Sequence, residues 1–157
     1  MAVIKNQEVK FHFLMSSSIF VAVQPHEIQT VLGSCVAVCL YDTKQLIGGM
    51  NHFMMPLWNG EGLASPKFGN IAIDLLIEKM LKAGAEKKNI IAKIFGGASQ
   101  LAYSRNSIMV GERNAQITEN ILIKYKIPIA AKSLCGTKGR KIVFNTYTGQ
   151  VLMKYIM

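Results

Sequence analysis

The apolar positions of this chain follow two periods, and the changes between them mark out its elements. "IFVAV" (19–23) and "TVLGSCVAVCLYD" (30–42) are rich in β-branched residues and space their apolar side chains two apart, which predicts strands. "TKQ" is a turn. "LIGGMNHFMM" (46–55) predicts another strand, whose glycine pair signals a bulge or the close approach of another backbone. Pro56 ends it, and "LWNGEGLASPK" is a Gly-rich loop long enough to cover a site. The period then becomes helical. Ser65 is placed as an N-cap with Pro66 at the first helical position. Phe68, Ile71, Ala72, Leu75, Leu76, Met80 and Leu81 recur at helical spacing until Gly84 stops the run. "NIIAKIFGG" predicts a buried strand. A second helix is expected from about Gly111 or Asn114 to Lys126, with Ile117, Ile121 and Leu122 inward. "IPIAAKSL" and "KIVFNTYTGQVLMKYI" return to strand character, the latter as a hairpin turned at Tyr147–Gly149.

Near the N-terminus, "FHFLMSSSIFVAVQPHE" reads as a pair of short strands rather than a leader peptide. His12 and three serines interrupt its apolar run, and no small-x-small cleavage site follows. Strands clustered at both ends with two helices between them predict an α+β fold, with largely antiparallel β-sheet layers and two main helices packed on them. No repeat or linker divides the 157 residues, which predicts a single domain.

Composition narrows the function. Half the residues are apolar and 17% are charged, as in a compact domain, and no apolar run reaches the roughly 18 residues of a membrane helix. Cys35, Cys39 and Cys135 form no disulfide framework, so free thiols in a reducing compartment, the cytoplasm, are expected. The net charge of +9 raises nucleic acid as a partner. The basic residues are scattered, however, and aromatics do not interleave with them, so an acidic protein surface fits better.

Three cysteines and three histidines limit the available chemistry. Cys35 follows Gly33 and Ser34, and His52 lies 17 residues on, a spacing that a hairpin turns into a facing pair. A thiol with a pKa near 8.5 needs a base, and an imidazole, especially as imidazolium, supplies one. Gly33 permits a turn whose amides form an oxyanion hole. Thr30 or Asn51 is a candidate third group to fix the imidazole tautomer. Gly96 and Gly97 read as a turn lining the cleft, where missing side chains admit a substrate backbone. Arg113 and Asn114 either cap and pair or touch substrate. Trp58 is either a lid or partner surface, and Met54 or Met55 borders the cleft. The competing readings stand beside this one. Cys35 and Cys39 are equally the buried packing of an apolar strand. A zinc site on Cys35, Cys39 and His52 lacks a fourth ligand. His12, His26 and Cys135 have no evident chemistry.

The residues also resemble a family. "TVLGSCVAVCLYD" and "GGMNHFMMP", then "KIFGGAS", "VGERNAQ" and "GRKIVFNTYTGQV", follow in order the signature of the chemoreceptor glutamine deamidases of the CheD family of bacterial and archaeal chemotaxis. The likeness runs over residues 18–154. Residues 1–15 lack a counterpart, and Cys135 stands where the family tends to have glycine. The resemblance implies a fold related to the toxin deamidases and a papain-like mechanism without metal or cofactor. It places the nucleophile on Cys35, the base on His52 and the orienting residue on Thr30, or on Gln29 if the spacing is shifted by one. Gly33 and Ser34 fall at the oxyanion site, with Asn51, Gly96 and Gly97 around the cleft. The implied partners are the acidic cytoplasmic helices of methyl-accepting chemoreceptors and a CheC-type phosphatase, with no nucleic acid and no membrane insertion, the chain acting as a monomer. A non-catalytic adaptor using the same cleft is the alternative.

Overall fold

A computed structural model describes residues 8–99 and 105–156. The strands are β1 (Lys10–Phe13), β2 (Ser18–Ala22), β3 (His26–Leu32), β4 (Val36–Asp42), β5 (Ile47–His52), β6 (Ile90–Gly96), β7 (Ile129–Leu134), β8 (Gly139–Asn145) and β9 (Val151–Ile156). The helices are α1 (Gly69–Lys82) and α2 (Arg105–Lys124). A four-stranded sheet, β1-β3-β8-β9, faces a five-stranded sheet, β2-β5-β4-β6-β7, and the helices cover the other face of the latter. Among the described strands only β1–β3 and β6–β7 pair in parallel, so the α+β architecture is the expected one, largely antiparallel. No helix among the described residues is long and apolar enough to cross a membrane.

Strand β4 explains the layering. All seven of its residues are buried. Val36, Val38 and Leu40 join the helix-side core with Leu76, Ile77 and Leu122, while Ala37, Cys39 and Tyr41 join the core between the sheets with Ile28, Ile142 and Phe144. A strand covered on both faces reads as one apolar run. That is why residues 30–42 looked like a single strand. The chain instead breaks at Gly33–Cys35 and passes from β3 in one sheet to β4 in the other. The two N-terminal strands are likewise real but unpaired with each other: β1 adds to β3 and β2 to β5.

The glycine pair of β5 serves close approach, not a bulge, since β5 keeps an unbroken register with both neighbours. A Cβ on Gly49 would sit 2.6 Å from Val21 Cγ2, and one on Gly48 would sit 2.8 Å from Thr146 Cα. Helix α1 starts four residues after the expected Ser65 cap. Lys67 and Phe68 first bridge to the end of the β5 segment, where Met54 and Met55 N–H both donate to Lys67 O. Its buried face is Gly69, Ala72, Ile73, Leu76, Ile77 and Met80, whereas Leu81 is 44% exposed. Gly84, at φ +109°, ends it as predicted. Helix α2 begins at Arg105, earlier than expected, and its Leu122 is fully buried.

The β4–β5 turn hangs on Asp42. Its buried carboxylate accepts the N–H groups of Lys44 and Gln45 on one oxygen and of Glu86 on the other, each at 2.8 Å. Asp42→Ala strands three donors and is expected to cost about 2–4 kcal/mol in urea unfolding. Asp42→Asn, which keeps an acceptor for two of them, is expected to cost less. Equal losses would show that the carboxylate does not organise the turn.

Candidate active site

Antiparallel register brings the sequence-singled pair to one face. Cys39 stands opposite Met50, and Val36 bridges Phe53. Alternation then puts Cys35, Ala37 and Cys39 on the same side of the sheet as Met50 and His52, facing the four-stranded sheet. Cys35 packs on the inter-sheet core there. It lies one diagonal step from His52, a relation in which backbones stand about 7–8 Å apart and long side chains meet. Cys35 sits in the turn before β4, not inside an apolar strand, and remains partly exposed. Cys39 is buried, with its thiol pushed far up by desolvation, and belongs to the packing.

The second sheet supplies the third member. Thr30, fully buried on the inner face of β3, places Oγ1 2.7 Å from His52 Nδ1 and donates its hydroxyl to Leu14 O at 2.8 Å. A hydroxyl has one hydrogen, and a carbonyl can only accept. The hydroxyl proton therefore goes to Leu14 O, Nδ1–H donates to Thr30, and Nε2 is left as the basic nitrogen. Gln29, the neighbour in sequence, pairs on the opposite face of β3. Nothing in the sequence marks Leu14, because the group it contributes is backbone; Ser17 N–H, also on this segment, donates to His52 O at 2.7 Å.

The electrostatics correct one expectation. Burial pushes His52 down to about 4 and pushes the Cys35 thiol up, the latter opposed by its own backbone N–H. The resting pair is thus a neutral imidazole and a thiol rather than an imidazolium beside a thiolate. Thr30 is a neutral partner and does not hold a proton on the ring as a carboxylate would.

The turn 33–35 is held by its carbonyls. Gly33 O accepts from Ala98 N and Cys35 O from Gly97 N, both at 2.9 Å, and Ser34 O accepts from Asn114 Nδ2 at 2.9 Å. Among the described residues, the N–H groups of Ser34 and Cys35 donate to no carbonyl. Two expectations change here. Asn51 lies on the helix side of β5, opposite His52, and its Oδ1 takes Val38 N–H, so it neither orients the imidazole nor lines the cleft. Gly96 and Gly97 admit the protein's own backbone rather than a substrate's. A Cβ on Gly96, at φ +117°, would meet Cys35 O at 2.1 Å, and one on Gly97 would meet Gly111 O at 2.8 Å.

Of the remaining candidates, Arg113 is exposed, and Trp58 is half-buried with Nε1 on Glu61 O of its own loop. Met54, 37% exposed, shares the face of His52. Arg140 was not singled out in the sequence. It is buried, and its guanidinium donates to Gly96 O, Lys138 O, Cys135 O and Ser133 Oγ, fastening the 133–138 segment to the strand end beside Cys35.

His52 predicts a pH signature in stability. Its folded value lies below the ordinary 6.5, so the unfolded chain takes up the proton first as pH falls. The stabilisation is complete above 6.5, is lost on descending from there, and levels off near 4. The loss is roughly 3 kcal/mol at about 1.4 kcal/mol per pH unit. Urea unfolding at a series of pH values should show this component in the wild type and not in His52→Gln. Identical pH slopes would contradict the buried neutral imidazole.

Comparison with known proteins gives this arrangement its relatives. The family model described as "CheD chemotactic sensory transduction" matches residues 54–155. A "Probable chemoreceptor glutamine deamidase CheD" of Sulfurimonas denitrificans is 53% identical over 150 residues, 95% of this chain and 96% of that protein. One of the same name from Trichlorobacter lovleyi is 49% identical over 145 residues, 92% of this chain and 90% of that protein. Among solved structures, the hypothetical protein YfiH of Bacillus licheniformis matches 83% of this chain and 62% of its own with a TM-score of 0.49 and 15% identity. The family model begins just past His52, whereas a 150-residue match within 157 residues takes in Thr30, Cys35 and His52. The chain belongs to the CheD family.

Proposed function

We propose that this chain is a chemoreceptor glutamine deamidase, converting glutamine side chains of receptors to glutamate with release of ammonia. The names of its relatives supply the reaction class, and one observation supports the assignment of roles: Thr30 Oγ1 stands 2.7 Å from His52 Nδ1, leaving Nε2 basic on the face that Cys35 shares. The expected cofactor set is empty, and the chemistry below uses only side chains, backbone amides and water.

His52 Nε2 takes the Cys35 proton as sulfur bonds to the carboxamide carbon, and the carbonyl electrons move onto oxygen. That oxyanion is received by the N–H groups of Ser34 and Cys35, which have no carbonyl partner among the described residues. The tetrahedral species collapses as the imidazolium gives its proton to the amide nitrogen. The C–N bond breaks, ammonia departs and a thioester remains. Water, deprotonated by His52, then attacks the thioester, and the C–S bond breaks as the imidazolium returns that proton to sulfur, releasing glutamate and the Cys35 thiol. The depressed basicity of His52 favours the acid role, since an imidazolium with a pKa of about 4 gives its proton up readily.

On this reading the enzyme works as a monomer in the cytoplasm. Its net charge of +9 steers it to acidic receptor helices, and a CheC-type phosphatase competes for the same surface. The test uses the cytoplasmic fragment of a chemoreceptor, with peptide mass spectrometry reading the exchange of NH2 for OH at glutamine. Conversion by the wild type and none by Cys35→Ala is the expected result. Thr30→Val should lower kcat about ten- to a hundred-fold through loss of the imidazole's orientation. If neither wild type nor variant converts glutamine but both bind the fragment, the chain is an adaptor.

A further inference from the structure

Asn114 is fully buried on α2, and its amide group makes two bonds: Nδ2 to Ser34 O at 2.9 Å and to Met54 O at 3.0 Å. Both partners are carbonyls, so the amide must present its nitrogen to them. Ser34 is the residue before the nucleophile, and Met54 is two beyond His52. The side chain therefore ties the two segments together just past the Val36–Phe53 bridge, where the β4–β5 pairing ends. The helix comes this close because Gly111, one turn earlier, has no side chain: a Cβ there would lie 2.5 Å from Ala98 O. Thr118 Oγ1 on Asn114 O, at 2.7 Å, fixes the next turn.

We infer that Asn114 is a positioning residue that sets the oxyanion hole. In a trans peptide the C=O and N–H point in opposite directions, and the described chain has no cis bond. Asn114 draws Ser34 O toward the helix layer, which turns the N–H of Cys35 the other way, toward the face that carries the thiol and His52. With the flanking carbonyls of Gly33 and Cys35 also fixed, by Ala98 N and Gly97 N, the peptide cannot rotate without breaking a bond. Packing alone does not account for the residue. Among the described residues its buried Oδ1 has no partner, which costs stability that an apolar side chain would not. The inference rests on the deamidase reading and goes beyond it, because it assigns a role to a residue that does not touch the reacting atoms.

The readout exploits a reaction that needs the thiol but develops no oxyanion. Asn114→Ala is expected to lower kcat for deamidation of the receptor fragment by about 10²-fold, with KM little changed and alkylation of Cys35 by iodoacetamide within about three-fold of wild type. Deamidation at the wild-type rate, or parallel loss of deamidation and alkylation, would overturn the inference. Asn114→Asp covers the case in which the alanine variant fails to fold. It keeps the volume and, when protonated, one donor for Ser34 O. Its activity relative to wild type should rise as pH falls from about 8 to about 6, and a flat ratio would overturn the inference. A wild type that converts no glutamine removes the deamidase reading and this inference with it. An active wild type with an equally active Asn114→Ala removes the inference alone.

Discussion

Strand β4 has no face left for water, and the site inherits its geometry from that constraint. Side chains of one parity pack under the helices and those of the other parity pack against the second sheet. A slip of one residue would exchange the two sets, placing Cys39 and Tyr41 under the helices and Val38 and Leu40 between the sheets, in cavities shaped for other side chains. The register with β5 is therefore held by both cores at once, and by the contacts of Gly48 and Gly49, which leave no room for a Cβ. His52 is the last residue of β5 and Cys35 stands one residue before β4, and both point into the inter-sheet layer. Their relation follows from this packing, and the amide of Asn114, bonded to Ser34 O and Met54 O, ties together the segments that carry them.

The third residue comes from outside that ladder. Thr30 belongs to β3, in the opposing sheet, and reaches His52 across the layer, while Leu14 O fixes its hydroxyl from the turn after β1. Choosing a hydroxyl in place of a carboxylate has a chemical consequence. A carboxylate would favour the imidazolium, whereas the buried His52 beside Thr30 rests neutral and, in the proposed mechanism, becomes charged only on taking the thiol's proton. The imidazolium of that mechanism would be a strong acid, matched to a leaving group as basic as ammonia. The cost falls on the thiol, which burial holds protonated at rest, so the proposed attack would depend on proton transfer to His52 as the sulfur moves.

The class of fold and most elements are legible in residue types and periods; Cys35 and His52 stand out there only as one reading beside buried packing, and the family resemblance is what singles them out. The misses have physical causes. Residues 30–42 read as one strand because β4, covered on both faces, is an unbroken apolar run that continues the apolar residues at the end of β3, and only Gly33 hints that the chain changes sheets between them. Asn51 adjoins His52 in a strand, where alternation alone sends neighbours to opposite faces, so the sequence itself carries the signal that the two side chains part. Ser65 and Pro66 carry the composition of a helix start, yet the bridge of Lys67 and Phe68 to Met54 and Met55 takes precedence and delays the helix. Leu14 O, and the carbonyl partners of Asn114 and Arg140, are backbone groups whose roles exist only once distant segments meet.

The central claim is that Cys35 bonds covalently to the substrate. Acid quenching of the wild-type chain during turnover with a receptor fragment, followed by intact-mass and peptide mapping, tests this directly. The account predicts an adduct with the combined mass of both chains less ammonia, located at Cys35 and labile to hydroxylamine as a thioester is. Glutamine conversion that proceeds undiminished in Cys35→Ala would contradict it, and would mean that water attacks the amide without a cysteine intermediate.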